Sequence, residues 1–414
     1  MIITFFKNIS FFHRVFSCEC VIVMNLKNEN SNHTNNKHLK TKVMKKQNLF
    51  LSVLVIGFTL VFTSCKKDEV GPDNQNGILP TRFSVDVPSA ISQTASAKKA
   101  YSSDDTIKGS DIYQHLELFI AVGDGAGEIV EDIIGGIRYY NINKPLSLTY
   151  SSDDDSRTKN LVVFEEVGFE DQVWDFQMNI TDAESEGNED GGLALQIFWN
   201  TNPIKGIAIL KPYNIDRTEN EMADEATFRI EYSEAGEGGY DAQMLVSISG
   251  LELENPLVDP YSINTLKMFA GKKGDIIDVY GNTNHPNAKF FNADAGFNWA
   301  FVASADEAND VAVAEVGLPA SNLNETSRQV LLVDNSIKNV FTNQINEVWP
   351  GIDQSLVDAY LSNTGAPGYF NQDGFVQGGV SPGVQFDEVE SRIQSLSPFN
   401  PSEVSEMLIE FKLN

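Results

Sequence analysis

Beyond residue 65 the chain carries only two histidines, His115 and His285, and no cysteine. His285 lies in the stretch DIIDVYGNTNHPN (275–287), close to Tyr280, Asn282, Asn284 and Asn287, with Phe297, Asn298 and Trp299 following a short gap. Amide groups beside aromatic rings suit a sugar or small polar ligand, because rings offer an apolar face and amides offer directed hydrogen bonds. Tyr280, Asn282, Asn284, His285, Asn287 and Trp299 are therefore the candidate ligand-binding residues. The competing reading is a strand running into a long turn whose asparagines bond their own backbone. His115 sits beside Leu116 in a helical pattern and reads as a packed or partly exposed helix residue.

Acidic clusters are the other chemistry on offer. DAESEG (182–187) has the alternating oxygens and sixth-position glycine of a calcium loop, but Leu193 stands at the twelfth position, where a bidentate glutamate is needed. Asp153, Asp154, Asp155 and the run 186–190 read as solvated hairpin tips, with weak calcium binding as the alternative; no metal site is assigned. H-E-x-x-H, G-x-S-x-G and S-x-x-K patterns are absent beyond residue 65. Carboxylate pairs for glycoside hydrolysis are abundant, but abundance does not single out a pair. The glycine run Gly123 to Gly127 lacks the preceding strand and the GKS or GKT ending of a phosphate loop. No cofactor is expected, and a hydrolase stands third among the functional readings.

The strongest signal lies upstream. Residues 44–69 read MKKQNLFLSVLVIGFTLVFTSCKKDE: two lysines, an apolar run from Leu49 to Phe62, then Thr63-Ser64-Cys65. That is the three-part layout of a secretory signal, with an apolar run short for a hydrocarbon core of about 30 Å. Val61 to Cys65 resembles the lipobox of bacterial lipoproteins, with Phe62 where that family usually has leucine. The resemblance implies that the Cys65 sulfur receives a diacylglycerol, that cleavage makes Cys65 the first residue, and that its amino group is acylated too. At about 0.8 kcal/mol per buried CH₂, three chains make attachment effectively permanent. Lys66-Lys67-Asp68-Glu69 resembles the tag that carries some lipoproteins to the outer face of the outer membrane. Residues 1–43 fit nothing downstream and are expected to be a non-native extension, with translation starting at Met44.

Charge narrows the partners. Of the 414 residues, those after Cys65 include 22 basic and 56 acidic side chains, a formal charge of −34. Nucleic acid is repelled by such a surface, because binding it requires lysines and arginines to neutralise phosphates. Peripheral docking on anionic lipid is disfavoured for the same reason. The cysteines are Cys18, Cys20 and Cys65, so a chain starting at Cys65 has no disulfide, and its stability rests on burial.

The elements that position these residues follow from periodicity. Residues 65–77 form a polar tether reaching about 40 Å when extended. A first strand is expected at 82–87. Apolar residues recur at helical steps from 111 to 138, giving one helix, or two broken within Gly123 to Gly127. Gly123, Gly127, Gly135 and Gly136 would let it approach a sheet closely. Period-two segments follow at 146–150, 160–167, 173–180, 193–199, 206–210, 226–232, 244–248, 275–280, 297–303 and 311–316, separated by turn signals. Helices are expected at 336–349 and 353–361, a long glycine-rich loop at 363–383, and a closing strand at 407–413. The fold class is α+β: an amphipathic helix, then a long antiparallel, curved meander, forming a main domain at 78–325 with a mixed helical and loop region at 326–414 packed on it. The expected function is a non-enzymatic outer-membrane lipoprotein that binds a glycan, a small polar ligand or an envelope protein. A helix followed by a meander also resembles the half-barrel carriers of bacterial envelopes, which makes a periplasm-facing lipid or lipoprotein carrier the alternative.

Overall fold

The computed structural model describes residues 79–413 apart from 81, 93–106, 139–143, 219–223, 252, 254–260 and 289–295. The signal-like segment, Cys65 and the tether lie outside the described residues. The chain runs α1 (Ser89–Ser92), β1 (Ile107–Lys108), α2 (Gly109–Arg138), β2 (Ser147–Ser151), β3 (Thr158–Phe169), β4 (Gln172–Asp182), β5 (Leu193–Thr201), β6 (Ile204–Leu210), α3 (Pro212–Ile215), β7 (Thr227–Ser233), β8 (Ala242–Ser249), β9 (Thr265–Lys273), β10 (Ile276–His285), β11 (Phe297–Asp306) and β12 (Val311–Gly317). A π-helical turn (Gln329–Asp334), α4 (Ile337–Val348), α5 (Gln354–Tyr360), β13 (Leu361–Ser362), β14 (Gly368–Asn371), β15 (Gly374–Gly378), α6 (Asp387–Ile393) and α7 (Pro401–Ser405) complete it.

Strands β2 to β12, then β14 and β15, form one open antiparallel sheet of 13 strands in sequence order, while β1 pairs with β13 in a separate parallel ribbon. Short turns, as between β3 and β4, β5 and β6, β9 and β10, and β11 and β12, dictate antiparallel pairing of the strands they join. The expected β-rich meander with a helix over one face is what folds. Alternate side chains go to opposite faces, and both faces are buried along β5 and β10 to β12, while β2 and the far ends of β3 and β4 remain partly exposed. On the helix side, Phe301, Ala303 and Ala305 of β11 and Ala312, Ala314 and Val316 of β12 share one core with Leu116, Ile120 and Ala126 of α2; α1 packs against β11 and β12, and α2 against β7 to β9. On the outer face, Ala300, Val302, Val311 and Val313 meet Leu331, Leu332, Val389 and Ile393 from the π-helical turn and α6.

Helix α2 is a single run of 30 residues through the glycines, so of the two expected alternatives, one helix or two broken within Gly123 to Gly127, the first is what forms. Leu116, Ile120, Ala126 and Val130 have no accessible surface. A Cβ at Gly123 would lie 2.4 Å from Met268 Cε, and one at Gly127 would lie 2.6 Å from Met244 Sδ; one at Gly135 would meet nothing within 4 Å. Two of the glycines therefore do permit a close approach to β8 and β9, and Gly135 faces open space.

Three expectations are corrected. Residues 82–87 are extended but stand outside the sheet: Glu131 Oε1 accepts the Phe83 and Ser84 amides at 2.7 and 3.1 Å, and Phe83 is buried against Tyr232, ring centroids 5.8 Å apart. The glycine-rich stretch 363–383 contains β14 and β15, so residues from the expected C-terminal region complete the main sheet. The closing strand at 407–413 forms no ladder; it lies across the outer face, with Ile409 and Phe411 against a cluster of Trp174, Phe198, Ile207 and Ile209. Among the described residues no helix is long and apolar enough to cross a membrane.

Candidate functional site

Strand β10 extends to His285 and pairs with β9 and β11 through the whole candidate stretch. Asn282 and Asn284 are therefore interior strand residues, not turn residues. Because side chains alternate, the six candidates divide. Tyr280, Asn282 and Asn284 go to the outer face, His285 and Trp299 go to the helix side, and Asn287 sits in the turn after β10. They do not converge on one site.

The outer group fastens the C-terminal segment. Asn284 Nδ2 donates to Ser321 Oγ and Ser405 Oγ, each at 2.8 Å, and Asn298 Nδ2 donates to Ser405 Oγ at 2.9 Å. The Phe399 amide donates to Asn282 Oδ1 at 2.9 Å, and Phe399 packs on Tyr280 with ring centroids 5.3 Å apart. Asn282 and Asn298 are wholly buried. Buried amides need partners, and here α7 and its approach supply them.

The helix-side group is aromatic. His285 stacks on Phe297 at 5.0 Å, Phe119 lies 5.4 Å from His285 and 5.6 Å from Trp299, and His115 stacks on Trp299 at 5.7 Å. Both chemistry-bearing histidines thus meet around Phe119, a pairing that the sequence separates by 170 positions. His285 Nδ1 lies 2.8 Å from the Tyr261 carbonyl and Nε2 lies 2.8 Å from Thr283 Oγ. A carbonyl only accepts, so Nδ1 carries the proton and Nε2 accepts from the hydroxyl. With both nitrogens bonded, His285 has no free lone pair for a metal. Trp299 Nε1 is buried without a hydrogen-bond partner.

The acidic loops are not simply solvated tips. Lys159 and Asp155, with side chains 2% and 1% exposed, pair at 2.9 Å, and Arg157 Nε reaches Asp182 at 2.9 Å. Lys211 pairs with Asp190 at 2.9 Å. Burial would raise the Asp155 pKa, but bonds from Lys159, Arg157 and Arg217 outweigh it and hold the group below its ordinary value. Asp182 and Asp190 are lowered in the same way, burial being outweighed by Arg157 and by Lys211 respectively. Asp155, Asp182, Glu184 and Asp190, four of the acidic groups offered to calcium by the sequence, are thus held by the chain's own cations. Among the described residues no group of three or more His, Cys, Asp or Glu is placed to hold a metal.

A cleft of about 350 Å³ opens on the outer face. The β3–β4 hairpin forms one wall; its turn residues Glu170 and Asp171 both have positive φ, which suits the tight turn of a twisted hairpin. Arg229 grips Glu170 through both guanidinium arms at 2.6 and 2.7 Å. Trp174, Ile207 and Phe269 give the cleft apolar surface, and Lys205, Glu231 and Gln243 give it polar groups. Lys205 and Gln243 both bond Glu237, at 2.8 and 3.2 Å. None of these residues was singled out from the sequence. What hid the cleft is that its walls come from five strands. Comparison with protein-family models, curated proteins and solved structures finds no match.

Proposed function

We propose that this chain is a lipid-anchored binding protein of the outer membrane, held by acylated Cys65 and facing outward, whose folded part is a non-enzymatic interaction module. The observation that carries this reading is the sequence Val61 to Cys65 followed by a charged tether and an acidic β-rich body. The outer-face cleft supports a binding role, since apolar walls with a few fixed polar groups suit capture without chemistry. The polar groups around Asn284 are satisfied within the fold, as expected of structural groups rather than catalytic ones. Growing cells with labelled palmitate tests the anchor: label on the wild type and none on Cys65→Ala is expected, and an unlabelled wild type overturns it. Protease shaving of intact cells tests the facing.

An α+β sheet curved into a half-barrel that carries lipid is the second reading, favoured by the order of one long helix and a long meander. Against it, the face a lipid would occupy is filled by α2 and residues 82–87, with Phe83, Leu116 and Ile120 wholly buried. Native mass spectrometry separates the two: the interaction module should carry no bound lipid, and a carrier should retain it.

A further inference from the structure

We infer that the outer-face groove holding residues 407–413 is a docking site for an extended peptide of a partner protein, and that the chain's own C-terminal tail is its built-in competitor. The inference deepens the interaction-module reading by naming the partner's chemistry. Met407, Ile409 and Phe411 are half-buried, while Leu408, Glu410 and Leu413 are exposed. This alternation is that of a strand, yet the tail crosses the sheet instead of joining it. Its main chain is read by a side chain: the Lys412 amide donates to Gln196 Oε1 at 2.8 Å, and Gln196 Nε2 donates to the Lys412 carbonyl at 3.2 Å.

Gln196 has no accessible surface. A buried primary amide that offers one donor and one acceptor to a peptide group recognises backbone irrespective of sequence, much as an adjacent strand would. Specificity comes from either side of it. Ile409 and Phe411 enter the pocket of Trp174, Phe198, Ile207 and Ile209, and Lys412 Nζ donates to the Gly168 carbonyl at 2.6 Å. Besides Glu170, which Arg229 holds, the neighbouring hairpin carries Glu165, Glu166, Asp171 and Asp175, so a basic partner is favoured. The groove therefore selects an extended segment with two alternate apolar residues followed by a lysine or arginine.

A longer peptide has an advantage over the tail. Trp174 and Ile207 line both the tail pocket and the 350 Å³ cleft, so a partner segment can fill both, where the tail fills one. Within the chain, the tail competes through its high effective concentration, which weakens any partner until the tail is displaced.

The test uses the chain ending at Glu406, the full chain, and a fluorescent peptide MLIEFKLN with its Lys→Glu counterpart. The shortened chain should bind the peptide at least about tenfold tighter than the full chain does, and Gln196→Ala in the shortened chain should weaken binding about tenfold. The Lys→Glu peptide should bind more weakly still. A shortened chain that is folded by circular dichroism yet binds no peptide overturns the proposal, as does an indifferent Gln196→Ala. If shortening prevents folding, the full chain with Ile409→Ser and Phe411→Ser empties the pocket and takes the same measurements. A full-chain dimer abolished by Phe411→Ser would overturn the assignment to a partner, because it would show tails exchanged between copies. The measurement is made in solution, so a failed palmitate experiment and a failed peptide experiment are distinguishable.

Discussion

On its helix side the sheet is covered mainly by one 30-residue helix whose inward side chains are apolar. On its outer face the cover arrives in pieces: a π-helical turn and α6 over β11 and β12, α7 over β9 and β10, and the tail over β5. The first cover depends on continuous burial, the second on a few polar fastenings between apolar patches. Continuous burial is non-directional and comes apart as a unit, whereas a directional bond can be opened alone. The difference makes the outer face the side on which the proposed exchange of the tail for a partner peptide would take place.

The comparison is most severely tested at Phe301, wholly buried on the helix side of β11. Phe301→Ala should cost about 3–5 kcal/mol in urea unfolding, in line with large-to-small changes in tight cores. It should also shift the hydrogen exchange of α2 and the sheet together. A loss confined to one strand would contradict a single helix-side unit. On the outer face, Asn284→Ala strips a donor from Ser321 and Ser405 and should cost about 1–3 kcal/mol. Its exchange signature should be restricted to 399–413, and equal loosening of α2 would erase the distinction between the faces.

Much of this architecture was legible in the sequence, because α2 and most strands advertise their burial by period. What escaped has identifiable causes. β9 puts Phe269 on its less buried face and interrupts the pattern with Gly271 and Lys272. β14 and β15 were hidden by glycines that the packing demands: a Cβ at Gly368 would fall 2.4 Å from the Tyr113 ring, and one at Gly378 would fall 2.4 Å from the Gly365 carbonyl. Asn282 and Asn284 looked like turn residues because asparagine is rare in strands, and they are acceptable there because the Phe399 amide meets Asn282 and the hydroxyls of Ser321 and Ser405 meet Asn284. The six candidate ligand residues were each placed by local cues, but a period-two strand necessarily sends neighbours to opposite faces.

A smaller effect is expected from two carboxyls on α2. Burial pushes Glu117 up to about 7, and burial together with Glu128, Asp86 and Glu131 pushes Asp124 up to about 7 against the opposing Val87 N–H. In each case the folded state keeps its proton where the unfolded state has already lost it. Their contribution to stability is therefore full below the unfolded value near 4 and is lost as pH rises to about 7. Glu117→Gln and Asp124→Asn should raise the thermal midpoint at pH 8 and leave it nearly unchanged at pH 4. Equal gains at both pH values would rule out proton linkage. Asp155, Asp182 and Asp190, held low by their cations, act oppositely and lose their contribution as pH falls through the ordinary carboxylate range.

The finest test of the helix-side contact uses two glycines of the same helix. Alanine in place of a helical glycine gains about 0.5–1 kcal/mol by restricting the unfolded chain, wherever the new methyl has room. Gly135 has that room, so Gly135→Ala should stabilise by about this amount in urea unfolding. At Gly127 the methyl would sit 2.6 Å from Met244 Sδ. The thioether is the flexible end of its side chain and can turn aside, so strain should cancel the gain and leave Gly127→Ala within about 0.5 kcal/mol of the wild type. The quantity of interest is the difference between the two variants, because helix propensity is common to both and drops out. If Gly127→Ala stabilised as much as Gly135→Ala, the helix would not press on β8, and the contrast between a tightly covered face and a loosely fastened one would lose its basis at this point.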